Sequence, residues 1–186
     1  MIGIYLMNYK WWLVIAVFLF VIGLVLGLVT PTGPLSEEIA ALEELAELLE
    51  PLPQWSIFMI ILVKNVSAIL ISLAFSPFFC LVPVMALTVN GWLLGWVSAA
   101  VVEEKSLGYL LSGLLPHGIF EIPALIMGEA VALSFGTAVI LALFKKEKRD
   151  LLLPNMRQNL RYMLVALALL LPAAIIETFV TPLFLN

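Results

Sequence analysis

The chain has 186 residues, of which 63% are hydrophobic and 12% are charged, and its formal net charge is -4. Because an average soluble domain is about half apolar and about a quarter charged, this chain has too little polar surface for a water-soluble globule. A single cysteine excludes an internal disulfide framework, and no basic stripe typical of nucleic-acid binding is present. We therefore predict one all-α domain over residues 1–186, a polytopic bundle of transmembrane helices.

The first apolar run extends from Trp11 to Val29, which is close to the ~20 residues that a helix needs to cross a bilayer. Lys10 precedes it at a position typical of an interfacial anchor. Residues 36–50 differ, since they carry six glutamates and apolar side chains at helical spacing. They predict a short acidic amphipathic helix outside the membrane. Its apolar face would rest on the spans or the interface, bind another membrane or extracytoplasmic protein, or self-associate.

Three further apolar runs of span length are simple to delimit. They are Trp55 to Phe75, Phe78 to Val101 and Tyr162 to Phe184. Basic residues concentrate in residues 145–161, and basic residues close to spans stay cytoplasmic. With five spans, the amino terminus is then cytoplasmic, whereas the acidic helix and the carboxyl terminus lie outside. We expect a multi-pass protein of the plasma membrane.

The run from Leu107 to Phe144 has 38 residues and is too long for one straight span, because such a helix would measure ~57 Å. Pro116 and Gly118 predict a helix break, since proline removes a backbone hydrogen bond and glycine favours a helix end. We therefore expect a short interfacial or re-entrant helix ending near Leu115. The fourth span would begin near His117.

Few polar side chains lie within the predicted spans. Such groups are costly in lipid and usually face protein or a water-filled cavity. At 1.5 Å per helical residue, their depths allow one buried polar layer to form. Its members would be Lys64, Asn65, Asn90, His117, Glu121, Glu129 and Glu177.

Three interpretations of this polar layer are open. Hydrogen-bonded carboxyls and asparagines would fix helix packing. Alternatively, His117, Glu121 and Glu177 would bind a divalent metal such as zinc, because zinc accepts imidazole nitrogen and carboxylate oxygen ligands. In the third, glutamates would carry protons or line a substrate pathway. Lys64 would neutralise Glu129 or Glu177, or extend toward the interface.

Pairs of glycines four residues apart predict close helix contacts in the first and third spans. These are Gly23 with Gly27 and Gly91 with Gly95. Small residues at this spacing let two helix backbones approach closely in a membrane. The contacts would join spans of one chain or support a homo-oligomer.

Residues 113–136 read GLLPHGIFEIPALIMGEAVALSFG and resemble the signature of the stage II sporulation protein M family. Two further segments fit that family: an asparagine-glycine span and an acidic closing segment. The matching positions are Asn65, Asn90, Gly91, Gly95, Pro116, His117, Gly118, Glu121, Glu177, Thr181 and Pro182. The resemblance covers the chain from about Trp55 onward, while Met1 to Pro53 carry little of it.

The resemblance implies a membrane protein whose family namesake looks like a scaffold for cell-wall hydrolases during engulfment. Relatives also occur in organisms that do not sporulate, so the resemblance does not imply a role in sporulation. We expect a non-enzymatic scaffold or complex subunit. The alternatives are a transporter or permease component, and a metal-dependent intramembrane enzyme in which Glu121 or Glu129 acts as the base.

Overall fold

The computed structural model describes residues 9–31 and 52–185, which excludes the predicted acidic helix at residues 36–50. Five of the described helices are long and apolar enough to cross a membrane. They are α1 (Tyr9–Val29), α2 (Gln54–Phe75), α3 (Leu81–Glu104), α4 (Leu107–Phe144) and α5 (Leu152–Ile175). No strand occurs within the described ranges, so the predicted all-α fold with five spans is confirmed.

Short elements complete the chain after α4 and α5. A 3₁₀ helix, Lys146–Leu151, joins α4 to α5. A π-helical segment, Ile176–Val180, continues α5, and a final short helix, α6, covers Pro182–Leu185. The last predicted span, Tyr162 to Phe184, therefore combines most of α5 with two less regular elements.

The glycine pairs of α1 and α3 face each other within the chain. A Cβ atom added at Gly23 would overlap the Thr88 carbonyl oxygen, and one added at Gly95 would overlap the Leu24 carbonyl oxygen. Backbone contact this close requires glycine at these positions. Contacts advance in the same direction along both helices, so α1 and α3 run parallel, as alternate spans must. The predicted glycine contacts are thus used inside the monomer.

Helix α4 is the centre of the bundle, because it contacts each of the other four long helices. The stretch from Ala124 to Gly136 carries its densest set of buried residues. These are Ala124, Gly128, Glu129, Ala130, Val131, Ala132, Leu133, Ser134 and Gly136. Small residues dominate this list, which allows the neighbouring helices to pack closely around α4.

The predicted break before the fourth span is wrong, because α4 is one continuous helix from Leu107 to Phe144. Ser106 caps its start by accepting a hydrogen bond from the Tyr109 backbone nitrogen at 3.1 Å. Pro116 and Gly118 both lie inside the helix. A proline in a membrane helix removes one backbone hydrogen bond, and packing against neighbouring helices compensates for that loss.

The extra length of α4 lies at its carboxyl-terminal end. Gly136 packs against Ser76, in the turn that joins α2 to α3. The eight further residues to Phe144 extend about 12 Å beyond that turn. Helix α5 packs on α4 just before this extension, since both Asn155 and Asn159 donate hydrogen bonds to Ser134, at 3.2 and 3.0 Å. The 3₁₀ helix that precedes α5 also contacts α4. The basic segment, residues 145–161, therefore forms the end of a helical hairpin.

Candidate functional site

His117 lies about a quarter of the way along α4 and contacts the last described part of the chain. Its Nδ1 atom is 3.3 Å from Thr181 Oγ1, just after the π-helical segment. Its Nε2 atom is 3.9 Å from Glu121 Oε2, one turn further along α4. The His117 side chain is only 15% exposed, so these two contacts define its orientation.

Glu121 uses its two carboxylate oxygens differently. Oε2 faces His117, whereas Oε1 accepts a hydrogen bond of 3.1 Å from Asn65 Nδ2 on α2. The Glu121 side chain remains 33% exposed. A carboxylate held by an amide on one side and partly open on the other can still accept a ligand.

Glu177 completes a cluster with His117 and Glu121. Each of the three contributes a nitrogen or oxygen atom, and these atoms lie within 4.8 Å of one another. Glu177 is on the π-helical segment, a type of helix irregularity that is frequent at functional sites. Lys64 is exposed. The structure thus brings together the three residues that the sequence grouped as metal ligands.

A cavity of about 270 Å³ adjoins the cluster, between α1, α3 and α4. His117 and Glu121 form part of its wall together with Asn90. Most of the remaining wall is apolar, and includes Leu93, Leu94, Val97, Leu114, Ile122 and Leu125. The cluster therefore has one side packed against α2 and the end of α5, and another side toward an apolar cavity.

Glu129 lies apart from the cluster, eight residues or about 12 Å beyond Glu121 along α4. It is 0% exposed and accepts a hydrogen bond from Ser72 of α2 through Oε2. Its Oε1 atom has no hydrogen-bond partner among the described residues. The predicted polar layer is therefore divided into two groups, one around Glu121 and one around Glu129.

Asn90 lies beside the cavity without joining the cluster's hydrogen bonds. Its side chain is exposed and donates to the Ala86 carbonyl oxygen of its own helix, at 2.7 Å. Two other residues matter more than the sequence alone indicated. Thr181 orients His117, and its position next to Glu177 in the family-like segment was the available signal. Ser72 pairs with Glu129, and no sequence pattern marked it.

The donor set of the cluster suits a divalent metal ion. Zinc binds imidazole nitrogen and carboxylate oxygen at about 2.0–2.2 Å, so tetrahedral ligands lie about 3.4 Å apart. Atoms within 4.8 Å of one another reach that arrangement by moving together roughly 1 Å. Asn65 and Thr181 occupy the positions from which outer hydrogen bonds orient metal ligands.

Comparisons with known proteins cover most of the chain. The model of a family described as stage II sporulation protein M matches residues 16–182. An uncharacterized protein of Methanocaldococcus jannaschii is 30% identical over 123 residues, which is 66% of this chain and 69% of that protein. No solved structure matches the chain.

Proposed function

The chain belongs to the stage II sporulation protein M family, and from this and its geometry we propose that it is a non-enzymatic membrane scaffold or complex subunit stabilised by a divalent metal ion. The observation that carries the proposal is the cluster of His117, Glu121 and Glu177, with ligand atoms within 4.8 Å. The ion would join α4 to the π-helical segment after α5.

The hydrogen bonds around the cluster support a metal site. In the tautomer that carries its proton on Nδ1, His117 donates to Thr181 Oγ1, and the lone pair of Nε2 faces Glu121, where an ion would bind. Asn65 occupies one oxygen of Glu121 and leaves the other for the ion. Outer partners of this kind fix the orientation of ligands and commonly change metal affinity 10–100-fold.

A metal that joins two helices would act as a structural clamp. A ligand that binds only the folded state at 100 times its dissociation constant stabilises that state by about 2.7 kcal/mol. In a scaffold, such a clamp would hold the surface next to the cluster in one conformation for a partner protein. The basic segment, residues 145–161, would face the cytoplasm, since basic residues near spans stay inside.

Elemental analysis of the purified protein tests the metal site. We expect near-stoichiometric zinc, manganese or iron in the wild type after purification without chelators, and loss of that metal in His117→Ala and Glu121→Gln. Glu129→Gln is the matched control, because it changes a carboxyl outside the cluster. The absence of metal from the folded wild type would refute the metal proposal.

A second candidate, a metal-dependent intramembrane enzyme, is favoured by the cavity beside the cluster. Three protein ligands leave a coordination position that can hold water, and Glu121 lines the cavity and is partly exposed. Cobalt-substituted protein would distinguish the two candidates. A change in its visible spectrum on adding a small hydroxamate indicates an open position and supports the enzyme, whereas an unchanged spectrum supports the clamp.

The transporter alternative rested on a discontinuous fourth helix and on the ionisable residues within the spans. Transporters commonly build substrate sites from broken helices, but α4 is continuous from Leu107 to Phe144. The π-helical segment at Ile176–Val180 is the irregular element beside the cluster instead. We therefore do not propose transport.

A further inference from the structure

A second concave site lies at the opposite end of the bundle from the metal cluster. It is a groove of about 220 Å³ between α2, α4 and α5. Leu73, Val131, Phe135 and Met163 line it, and the exposed side chains of Met156 and Leu160 form its open edge. Such a wall suits a hydrocarbon chain.

Arg157 places a positive charge at one end of this apolar groove. Its side chain lines the groove and also an adjoining depression that contains Arg161 and Tyr162. Both arginines are exposed, and neither has an ion-pair or hydrogen-bond partner within the described ranges. Two guanidinium groups thus lie where a hydrocarbon groove ends, and guanidinium binds phosphate oxygens through paired hydrogen bonds.

The surrounding charge favours an anionic ligand. Residues 145–161 contain six basic and two acidic side chains, a net charge of +4, whereas the whole chain has a net charge of -4. Basic pockets between membrane helices bind anionic lipid headgroups, and each basic residue near the surface contributes about fivefold in affinity. The groove also extends along the membrane depth, since Arg157 is near the start of α5 and Met163 lies six residues, or about 9 Å, further along the same helix.

We propose that an anionic phospholipid of the surrounding bilayer binds here, with an acyl chain in the groove and its phosphate between Arg157 and Arg161. The bilayer supplies this ligand at high local concentration. One molecule would contact α2, α4 and α5 together, and would hold the hairpin formed by α4 and α5 against the bundle. This proposal is independent of the metal cluster.

Native mass spectrometry of the detergent-solubilised full chain tests the lipid site. We expect one dioleoyl phosphatidylglycerol to bind at least fivefold more tightly than dioleoyl phosphatidylcholine. Arg157→Gln should weaken phosphatidylglycerol binding at least fivefold, and Arg161→Gln should weaken it similarly. Lys146→Gln is the matched control, because it removes the same charge from the same segment at a residue outside both concave sites, and it should change affinity less than twofold.

Leu160→Trp tests the groove separately from the charge. A larger side chain at its open edge should weaken phosphatidylglycerol binding severalfold although both arginines remain. Arg157→Lys keeps the positive charge and should retain more binding than Arg157→Gln. This comparison separates loss of the charge from misfolding of the variant. Circular dichroism would check the helical content of each variant.

Three results would overturn the proposal. Equal binding of phosphatidylglycerol and phosphatidylcholine would show that the headgroup is not recognised. Equal weakening by Lys146→Gln and Arg157→Gln would show diffuse attraction without a site. Loss of binding in Arg157→Gln with no effect of Leu160→Trp would show an anion site without an acyl chain in the groove.

Discussion

Glu121 and Glu129 are two carboxyls on one helix with opposite surroundings. Glu121 is 33% exposed, faces His117 and Glu177, and adjoins a cavity. Glu129 is 0% exposed and has Ser72 as its hydrogen-bond partner. The two residues are only two turns apart, so depth along the helix does not explain the difference. Helix α2 supplies a hydrogen-bond donor to each carboxyl, but Glu121 also adjoins a cavity and an irregular segment, whereas Glu129 is enclosed on all sides.

This contrast shows how a membrane bundle can separate ligand binding from packing. A carboxyl that keeps an open coordination direction can bind an ion, whereas a fully enclosed carboxyl contributes through its hydrogen bonds and shape. The first carboxyl should control metal affinity with little effect on the stability of the metal-free protein, and the second should control that stability with little effect on metal affinity. Substitutions at the two positions can confirm or contradict this distinction.

The largest expected effect is on zinc affinity. Glu121→Gln removes a proposed ligand and should weaken zinc binding at least 100-fold, beyond the 10–100-fold typical of outer-sphere partners. Glu129→Gln should leave zinc affinity unchanged. Titration against a chromogenic chelator measures both, and equal affinities for the two variants would contradict the distinction.

The next effect is on the free energy of unfolding of the metal-free protein. Glu129→Ala leaves Ser72 without its partner and opens a cavity beside α2, so we expect a loss of about 3 kcal/mol. Glu121→Ala should cost less than about 1 kcal/mol, because its side chain is partly exposed. Denaturation in mixed micelles measures both values. Glu129→Gln preserves side-chain volume and should stay within about 1 kcal/mol of the wild type.

A smaller effect is expected from the residues that orient the ligands. Thr181→Val is nearly isosteric, but it removes the partner of His117 Nδ1, and should weaken zinc binding about tenfold. Asn65→Ala should act similarly through Glu121. Asn90→Ala is the control, since Asn90 bonds to its own helix, and a comparable loss there would contradict the assigned roles.

The smallest effect is expected from Ser72→Ala, which removes the hydrogen bond to Glu129. Loss of one buried hydrogen bond should lower the free energy of unfolding by about 1 kcal/mol without changing zinc affinity. Ser67→Ala makes the same chemical change at a serine that bonds only to Lys64 of its own helix, and it should cost less. Thermal unfolding of the two variants side by side would reveal the difference.

The sequence predicted the membrane fold well because hydrophobic length is a strong signal. It also grouped His117, Glu121 and Glu177, because counting residues from the span ends gives depth, and side chains at one depth can meet. Depth does not give rotation about the helix axis. For that reason Asn90 was expected in the polar layer but bonds within its own helix, and Ser72 was not expected beside Glu129.

The break at Pro116 was predicted wrongly for a different reason. Proline lowers helix stability locally, and 38 residues exceed the length of one straight span, so the sequence offered two reasons for a break. In the folded chain, the residues just after it are tied to two other elements, His117 to Thr181 and Glu121 to Asn65. Tertiary contacts of this kind maintain helical geometry across a proline.

The close glycine contact of α1 with α3 has a consequence for biosynthesis. Because the two helices are separated by α2 in the chain, α1 emerges from the ribosome before its partner exists. It must therefore reside alone in lipid until α3 has been inserted. The composition of α1 favours stable insertion as a single helix, since α1 contains the most apolar segment of the five spans. Assembly of this protein would thus follow two stages, insertion of independent helices and then their association.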